Sequence, residues 1–425
     1  MATHARVKRA ALGDRVVKVG STRNKKRGIT CDWSKVPYHI MVHVFQYLRD
    51  GDRFRAAQTC KAWLQPFSHP ALFRTGQFQY GSMHRAITFA RVKGKLLRHI
   101  YFKASRPNFD FPPTIRGMYQ FLSNLINSGN NQLITLNLAS MRRLSFRGIY
   151  TLPMLVELLA ILLANQTHLR ELDLSHASLI VKQGSQILEA VAKNCSQTLQ
   201  RLDITSFIDY GEPEDDEEET IWTNFVSALC SFKNLSDLEL SYEVLLDDVL
   251  RALAGSSKSL QNLKVYNNNY DTAVRGTTPE AWQRLTSACP GLKVEMFVRP
   301  RFEYHVDPAL CAILTPSTPL HNLHWHSGAM ISLDNMKLCF QHIAIHFQST
   351  LHHICFKSGV RLARGDVGEL FESLHECSHL ETVSINLKCD FSIDEEFYRS
   401  CIKEAVDKHH ITCSKITLNG RTVSS

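Results

Sequence analysis

From residue 97 onward the apolar positions repeat one short frame, L-x-x-L-x-L with other apolar residues admitted. It fits "LRHIYF" (Leu97, Ile100, Phe102), "LITLNL" (Leu133, Leu136, Leu138), "LRELDL" (Leu169, Leu172, Leu174) and "LQRLDI" (Leu199, Leu202, Ile204). It continues through "LSDLEL" (Leu235, Leu238, Leu240), "LQNLKV" (Leu260, Leu263, Val265), "LHNLHW" (Leu320, Leu323, Trp325) and "LHHICF" (Leu351, Ile354, Phe356). It ends with "LETVSI" (Leu380, Val383, Ile385) and "CSKITL" (Cys413, Ile416, Leu418), while "GLKVEMFV" from Gly291 is an off-frame unit where another is due. The L-x-L part has period two, which predicts a short strand with one buried face. Between frames the period lengthens to that of a helix: "VKQGSQILEAVAKN" puts Ile187, Leu188 and Val191 on one face, and Thr278-Pro279 has the form of a helix start.

Adjacent frames begin 25 to 36 residues apart, about 32 on average, the long end of the leucine-rich-repeat range. One strand and one helix cannot bury their apolar faces alone, but stacked units can. The predicted fold is therefore α/β: a leucine-rich-repeat solenoid, with parallel strands on a concave face and helices on a convex one. Cysteines precede several frames (Cys195, Cys230, Cys289, Cys377) and read as small buried thiols at helix-to-strand turns.

Ahead of the repeats, "VPYHIMVHVFQYLRDGDRFRAAQTCKAWLQPFSHPALFR" scans differently. Pro37 suits a first helical position, and Ile40, Met41, Val44, Phe45 and Leu48 form a stripe at helical spacing. "RDGD" interrupts it, with Asp52 placed to cap a second helix reaching about Cys60. Trp63, Phe67, Leu72 and Phe73 add apolar anchors. So small a helical unit with so much apolar surface either docks onto a partner or caps the solenoid.

Charge changes the picture only at the N-terminus. Residues 1–28 carry nine basic side chains against Asp14 alone, so nearly all of the formal +9 resides there and the remainder is close to neutral. Residues 1–30 form a basic tail of disordered composition, lacking the apolar region of a secretory signal; "NKKRG" fits a nuclear import signal or a solvated tail. No apolar run is long enough for a membrane span, and "LPMLVELLAILLA" reads as a buried amphipathic helix. Twelve cysteines without a CxxC pair point to free thiols in a reducing compartment, cytoplasmic or nuclear. The acidic run "EPEDDEEE" (Glu212–Glu219) is expected to be a solvated loop inserted near 211–220.

Residues 31–78 resemble an F-box. The matching positions are Val36-Pro37, Ile40-Met41, Val44-Phe45, Tyr47-Leu48, Asp52, Ala56, Thr59-Cys60-Lys61, Trp63, Pro70 and Leu72-Phe73. His39, Val36 and Phe73 depart from the family's usual acidic residue, leucine and tryptophan. Cysteine-containing leucine-rich repeats are found in many F-box proteins, and stretches of residues 79–425 are similar to the F-box only proteins 33 and 39. The resemblance implies a substrate adaptor of a Skp1–cullin–F-box ubiquitin ligase. In that role Val36, Pro37, Ile40, Met41, Val44, Phe45, Leu48, Trp63 and Leu72 would bind Skp1, and through it a cullin–RING core. The alternative is a protein-binding scaffold, with or without Skp1, that directs no ubiquitination.

No nucleotide, serine-hydrolase or zinc-protease motif is present, and no catalytic residues or cofactor are expected. "HNLHWH" (His321, His324, His326) and "CFQHIAIH" (Cys339, His342, His346) have spacings that fit zinc, but read better as solvated or capping histidines; no metal is expected. The x positions of the frames point to the concave face and nominate a substrate surface: Glu171, Asp173, Arg201, Asp203, Asp237, Glu239, Lys264, Tyr266, His324 and His326. That mixed polar face suits a protein partner better than a lipid or a nucleic-acid backbone.

Overall fold

The stripe after Pro37 folds as helix α1, Tyr38–Tyr47, with Met41, Val42 and Phe45 turned inward. The computed structural model describes residues 35–103, 111–139, 151–208, 217–267, 277–299, 313–326, 333–358, 372–387, 392–409, 415–418 and 421–424. The basic tail, and the acidic run as far as residue 216, lie outside them. The chain divides into two compact units, Met1–Leu72 and Phe73–Ser425.

In the first unit Pro37 sits one residue before the helix rather than at its first position, with extended ψ, and its carbonyl accepts the Met41 N–H at 3.1 Å. Helix α2 is Asp50–Ala57 and α3 is Lys61–Phe67. The second helix thus starts three residues earlier and ends sooner than the sequence indicates. Arg49 takes the cap position, and Asp52, inside the first turn, pairs with Arg55 at 3.7 Å. Arg53 ties the unit together: its guanidinium donates to the carbonyls of Phe45 (2.9 Å), Leu72 (2.9 Å) and Leu48 (3.1 Å). Those three carbonyls come from helix ends and turns, where the regular helical N–H partners run out; the Phe45 carbonyl also takes the Leu48 N–H at 3.2 Å.

The second unit is built on a 13-stranded sheet whose strands lie in chain order. They are β1 Thr75–Gln79, β2 His99–Lys103, β3 Thr135–Asn137, β4 Glu171–Asp173, β5 Arg201–Ile204, β6 Asp237–Ser241 and β7 Asn262–Asn267. The rest are β8 Lys293–Val298, β9 Leu320–His326, β10 His353–Ser358, β11 Thr382–Leu387, β12 Lys415–Leu418 and β13 Arg421–Ser424. Pairing is parallel from β1 to β12. Only β13 folds back antiparallel. Every frame yields a strand, and the off-frame "GLKVEMF" yields β8. Strands β1 and β13 carry no leucine frame: β1 buries only Gly76 and Phe78, and Phe78 packs against Phe89, Phe102 and Phe121 with ring centroids 5.4–5.7 Å apart. A side chain at Gly76 would meet the Phe78 ring at 2.5 Å, which is why glycine stands there.

Helices return the chain from strand to strand: α4 Met83–Lys93, α5 Phe111–Asn127, α6 Thr151–Ala164, α7 Val181–Cys195, α8 Glu217–Cys230, α9 Asp247–Ser256, α10 Pro279–Ala288, α11 Leu333–Phe347 and α12 Ser392–His409. From α4 to α10 each packs on the next, and their apolar faces join the leucine rows in one continuous core. The end of the acidic run is helical rather than looped, since Glu217 to Glu219 open α8, where negative charge suits the helix dipole. Thr278 caps α10 by accepting the Ala281 N–H, with Pro279 following.

Burying the helix-to-strand turns leaves backbone groups that need partners. A row of small polar side chains supplies them. Asn130 donates to the carbonyls of Gly94 (2.6 Å) and Leu97 (2.8 Å). Gln166, fully buried, accepts the Leu133 N–H (2.9 Å) and donates to the carbonyls of Asn130 (3.0 Å) and Leu162 (2.9 Å). The thiols of Cys195 and Cys289 donate to the carbonyls of Gln166 (3.2 Å) and Ser257 (3.1 Å). Cys195, Cys289 and Cys377 are buried and Cys230 half-buried, and none of the eight described cysteines is in a disulfide. Gln166→Ala should cost about 2–4 kcal/mol in chemical denaturation, because it strands the Leu133 N–H and the Asn130 carbonyl and leaves a void. The exposed Gln261→Ala should change stability by no more than about 0.5 kcal/mol.

Candidate functional site

The two units offer separate surfaces. In the helical unit the residues nominated for partner binding divide into inside and outside. Met41, Phe45 and Leu72 are buried and form its core, Phe45 meeting Trp63 edge-on at 6.2 Å. Val36, Leu48 and Trp63 are half-buried, and Pro37, Ile40 and Val44 are exposed. Ile40, Val44 and Tyr47 stand at i, i+4 and i+7, one face of α1, and are 44%, 39% and 79% exposed. Sequence reasoning passed over Tyr47 as a contact residue, and also the exposed Tyr38, Phe54 and Leu64. Only the helix register, which decides which apolar residue faces out, marks them.

In the solenoid, the sheet face away from the helices lines a groove of about 570 Å³ running from β2 to β9. Seven of the nominated concave residues line it: Glu171, Asp173, Arg201, Asp203, Asp237, Glu239 and Lys264. Tyr266, His324 and His326 lie further along the strands, outside its walls. Thr135, Asn137, Asn262, Lys293, Glu295, His321 and Asn322 add to the polar lining, and the x positions of the frames would have found all but Lys293 and Glu295, whose unit is off-frame.

Six carboxylates (Glu171, Asp173, Asp203, Asp237, Glu239, Glu295) face three cations (Arg201, Lys264, Lys293) in this groove. Most are engaged across strands. Lys264 Nζ meets Glu239 Oε1 at 3.0 Å, and Tyr266 donates to Glu239 Oε2 at 3.1 Å. Asn262 donates to Asp237 at 2.8 Å, and Arg201 reaches Asp237 at 3.6 Å and Glu171 at 4.0 Å. Asp173 and Asp203 also close the strand ends, accepting the N–H of Ser175 (3.0 Å) and Thr205 (2.9 Å). Burial, then the neighbouring Asp173 charge, push the Asp203 carboxyl up to about 7. Burial alone would lower the Lys264 ammonium, but the Glu239 hydrogen bond and charge outweigh it and hold it above its usual value.

Beyond Lys264 the register slips. Leu263 and Val265 pair with Val294 and Met296, but Met296 pairs with Leu323, the first apolar residue of its own L-x-L. The shift of two residues keeps every side chain on its face. It moves His324 out of the row of Asp173 and into that of Tyr266. The resulting row is Tyr266, Phe297, His324, Cys355. Tyr266 and Phe297 stack at 4.4 Å, Phe297 and His324 at 4.3 Å. His324 Nε2 lies 2.7 Å from Glu295 Oε1. Burial pulls the imidazole down, but hydrogen bonds to Cys355 and Glu295 outweigh it and raise it to about 9. The Cys355 thiol is correspondingly lowered by its bond to His324. The expectation of a solvated His324 therefore fails: it is half-buried and partnered by Phe297, Glu295 and Cys355. On α11, His342 Nε2 meets the Leu314 carbonyl at 2.9 Å, a capping contact.

Residues 33–77 match the F-box-like family model. F-box/LRR-repeat protein 21 of Bos taurus is 24% identical over 286 residues, 64% of this chain and 61% of the relative. The proteins of that name from Ovis aries (25% over 285 residues; 64% and 61%) and Mus musculus (24% over 283; 63% and 60%) are similar to the same degree. The chain thus spans about three-fifths of the length of these relatives. The architecture is an F-box-like helical unit followed by a leucine-rich-repeat solenoid. Among the described residues no helix is long and apolar enough to cross a membrane.

The raised Asp203 carboxyl has a consequence for stability. The folded state keeps a proton that the unfolded chain loses near pH 4, so stability falls as pH rises from there through about 7. Asn at this position removes the charge but keeps an oxygen for the Thr205 N–H. Asp203→Asn should therefore raise the melting temperature by about 2 °C or more near pH 8 and leave it unchanged near pH 4. Thermal scans at the two pH values check this.

Proposed function

We propose that this chain is the substrate-recognition adaptor of a Skp1–cullin–F-box ubiquitin ligase. The F-box-like unit docks on Skp1, which links it to a cullin–RING core, and the solenoid holds a protein substrate. The carrying observation is the exposed row Ile40, Val44 and Tyr47 on a unit whose sequence matches the F-box-like family. An apolar helix face left to solvent is a docking surface in a unit too small to spare it. The names of the relatives join the same two modules. The finer likeness to F-box only proteins 33 and 39 belongs to this reading.

As an adaptor the chain performs no chemistry. It raises the effective concentration of a substrate lysine beside an E2 thioester held by other subunits. The groove, with six carboxylates and three cations, favours a protein segment with basic and polar side chains over a nucleic-acid backbone. Free thiols fit a cytoplasmic or nuclear setting.

The test is co-expression with Skp1 and cullin, then pull-down, beside the triple variant Ile40→Ala, Val44→Ala, Tyr47→Ala. All three positions are exposed, so the fold should hold, whereas substitution of the buried Phe45 would unfold the unit. The parent should retain Skp1 and cullin, and the variant should lose them by at least about tenfold at unchanged circular dichroism. Retention of Skp1 without cullin would favour a scaffold that directs no ubiquitination. A folded parent that retains neither would end the ligase reading.

A further inference from the structure

At the end of the aromatic row, three donor atoms of two kinds converge. His324 and His326 on β9 and Cys355 on β10 each offer one ligand atom, and all three atoms lie within 4.8 Å of one another. Register fixes the set: Cys355 stands directly opposite His324 on the neighbouring parallel strand. The His324 ring is clamped flat against Phe297, and its Nε2 is engaged by the Glu295 carboxylate at 2.7 Å. Metal-bound histidines have this arrangement, one ring nitrogen on the ion and the other on a carboxylate that fixes the ring.

We propose that His324, His326 and Cys355 bind a zinc ion, with Glu295 as the outer carboxylate that orients His324. The fourth position is open to water or to a donor atom of a bound protein. Two imidazoles and a thiolate suit zinc, whereas magnesium and calcium require oxygen ligands. Around tetrahedral zinc, ligand atoms stand about 3.3–3.6 Å apart, so the set contracts by at most about 1.5 Å, within reach of side-chain rotation. Binding forms one Zn–S and two Zn–N bonds and releases to solvent the Cys355 thiol proton and the second ring proton that His324 carries near neutrality, with no change of oxidation state. The thiolate and Glu295 together balance the ion's charge. Arg299 and Lys357 act on His326 from the same end of the sheet and oppose the ion there, so His326 is the weakest of the three ligands. The spacing in the sequence that fits zinc is a different triple, His321 with His324 and His326, which reads as solvated or capping. The structure instead stacks His321 on His352 at 4.0 Å, which takes it out of the set.

This site stands apart from the ligase reading, and its test needs no Skp1. The full chain, stripped with a chelator, is titrated with Co²⁺ as a spectroscopic stand-in for zinc. One Co²⁺ per chain should bind with a thiolate-to-cobalt charge-transfer band, and Zn²⁺ should displace it. Cys355→Ser changes one half-buried atom and should abolish the band. Glu295→Gln keeps all three ligands and an acceptor for His324, and should weaken binding by about tenfold or more with the band intact. A parent without the band, or a band that survives Cys355→Ser, would overturn the assignment. So would a Glu295→Gln variant that binds as tightly as the parent.

Discussion

Everything in the larger unit depends on the stacking of one apolar row on the next. Neither a three-residue strand such as Glu171–Asp173 nor the helix that follows it buries enough surface to persist alone. Leu136, Leu172, Leu202, Leu238 and Leu263 lie opposite one another in successive parallel pairs, and each is covered only because its neighbours are present. Parallel pairing forces the chain to return to the same sheet end after every strand, so each helix runs on the same side. The price is a column of buried turns, and Asn130, Gln166, Cys195 and Cys289 answer it with hydrogen bonds rather than apolar contact.

The same constraint organises the other face. Because inward positions must be apolar, outward positions are free to vary, and register alone decides which of them meet. The slip between β8 and β9 costs the core nothing, since it is an even number of residues. On the outer face it has a large effect. It ends the charged rows of Asp203, Glu239 and Lys264 and extends the row of Tyr266 through Phe297 and His324 to Cys355. A polar groove and a histidine–thiol cluster are thereby neighbours on one sheet without sharing a row.

Most of the solenoid was legible in the sequence, because a leucine frame is a direct record of burial with period two. What escaped were the strands that close the sheet by other means. Strand β1 is held by Phe78 in an aromatic cluster, and β13 is an antiparallel return. Neither carries the frame. The concave residues were legible as a set but not as pairs. Frame position puts His324 in line with Asp173, and only hydrogen-bonded register puts it beside Phe297 and Cys355. In the helical unit, apolar spacing located α1 but did not separate Phe45, which holds the unit together, from Ile40 and Tyr47, which face out. That division depends on how α1 packs against α3, where Phe45 meets Trp63.

The groove's charges bear on how it would hold a partner. Lys264 and Glu239 already satisfy each other at 3.0 Å, while the contacts of Arg201 with Glu171 and Asp237 are long and largely exposed. A ligand gains little by replacing the first pair, because it would have to break a bond as good as the one it makes. It gains more at Asp203, where burial and Asp173 hold a carboxyl half-protonated near neutrality. A basic side chain placed there would drive the proton off and keep the carboxylate charged, converting a strained position into a contact. The surface would then select a partner by where its cations fall along the strands rather than by how many it carries.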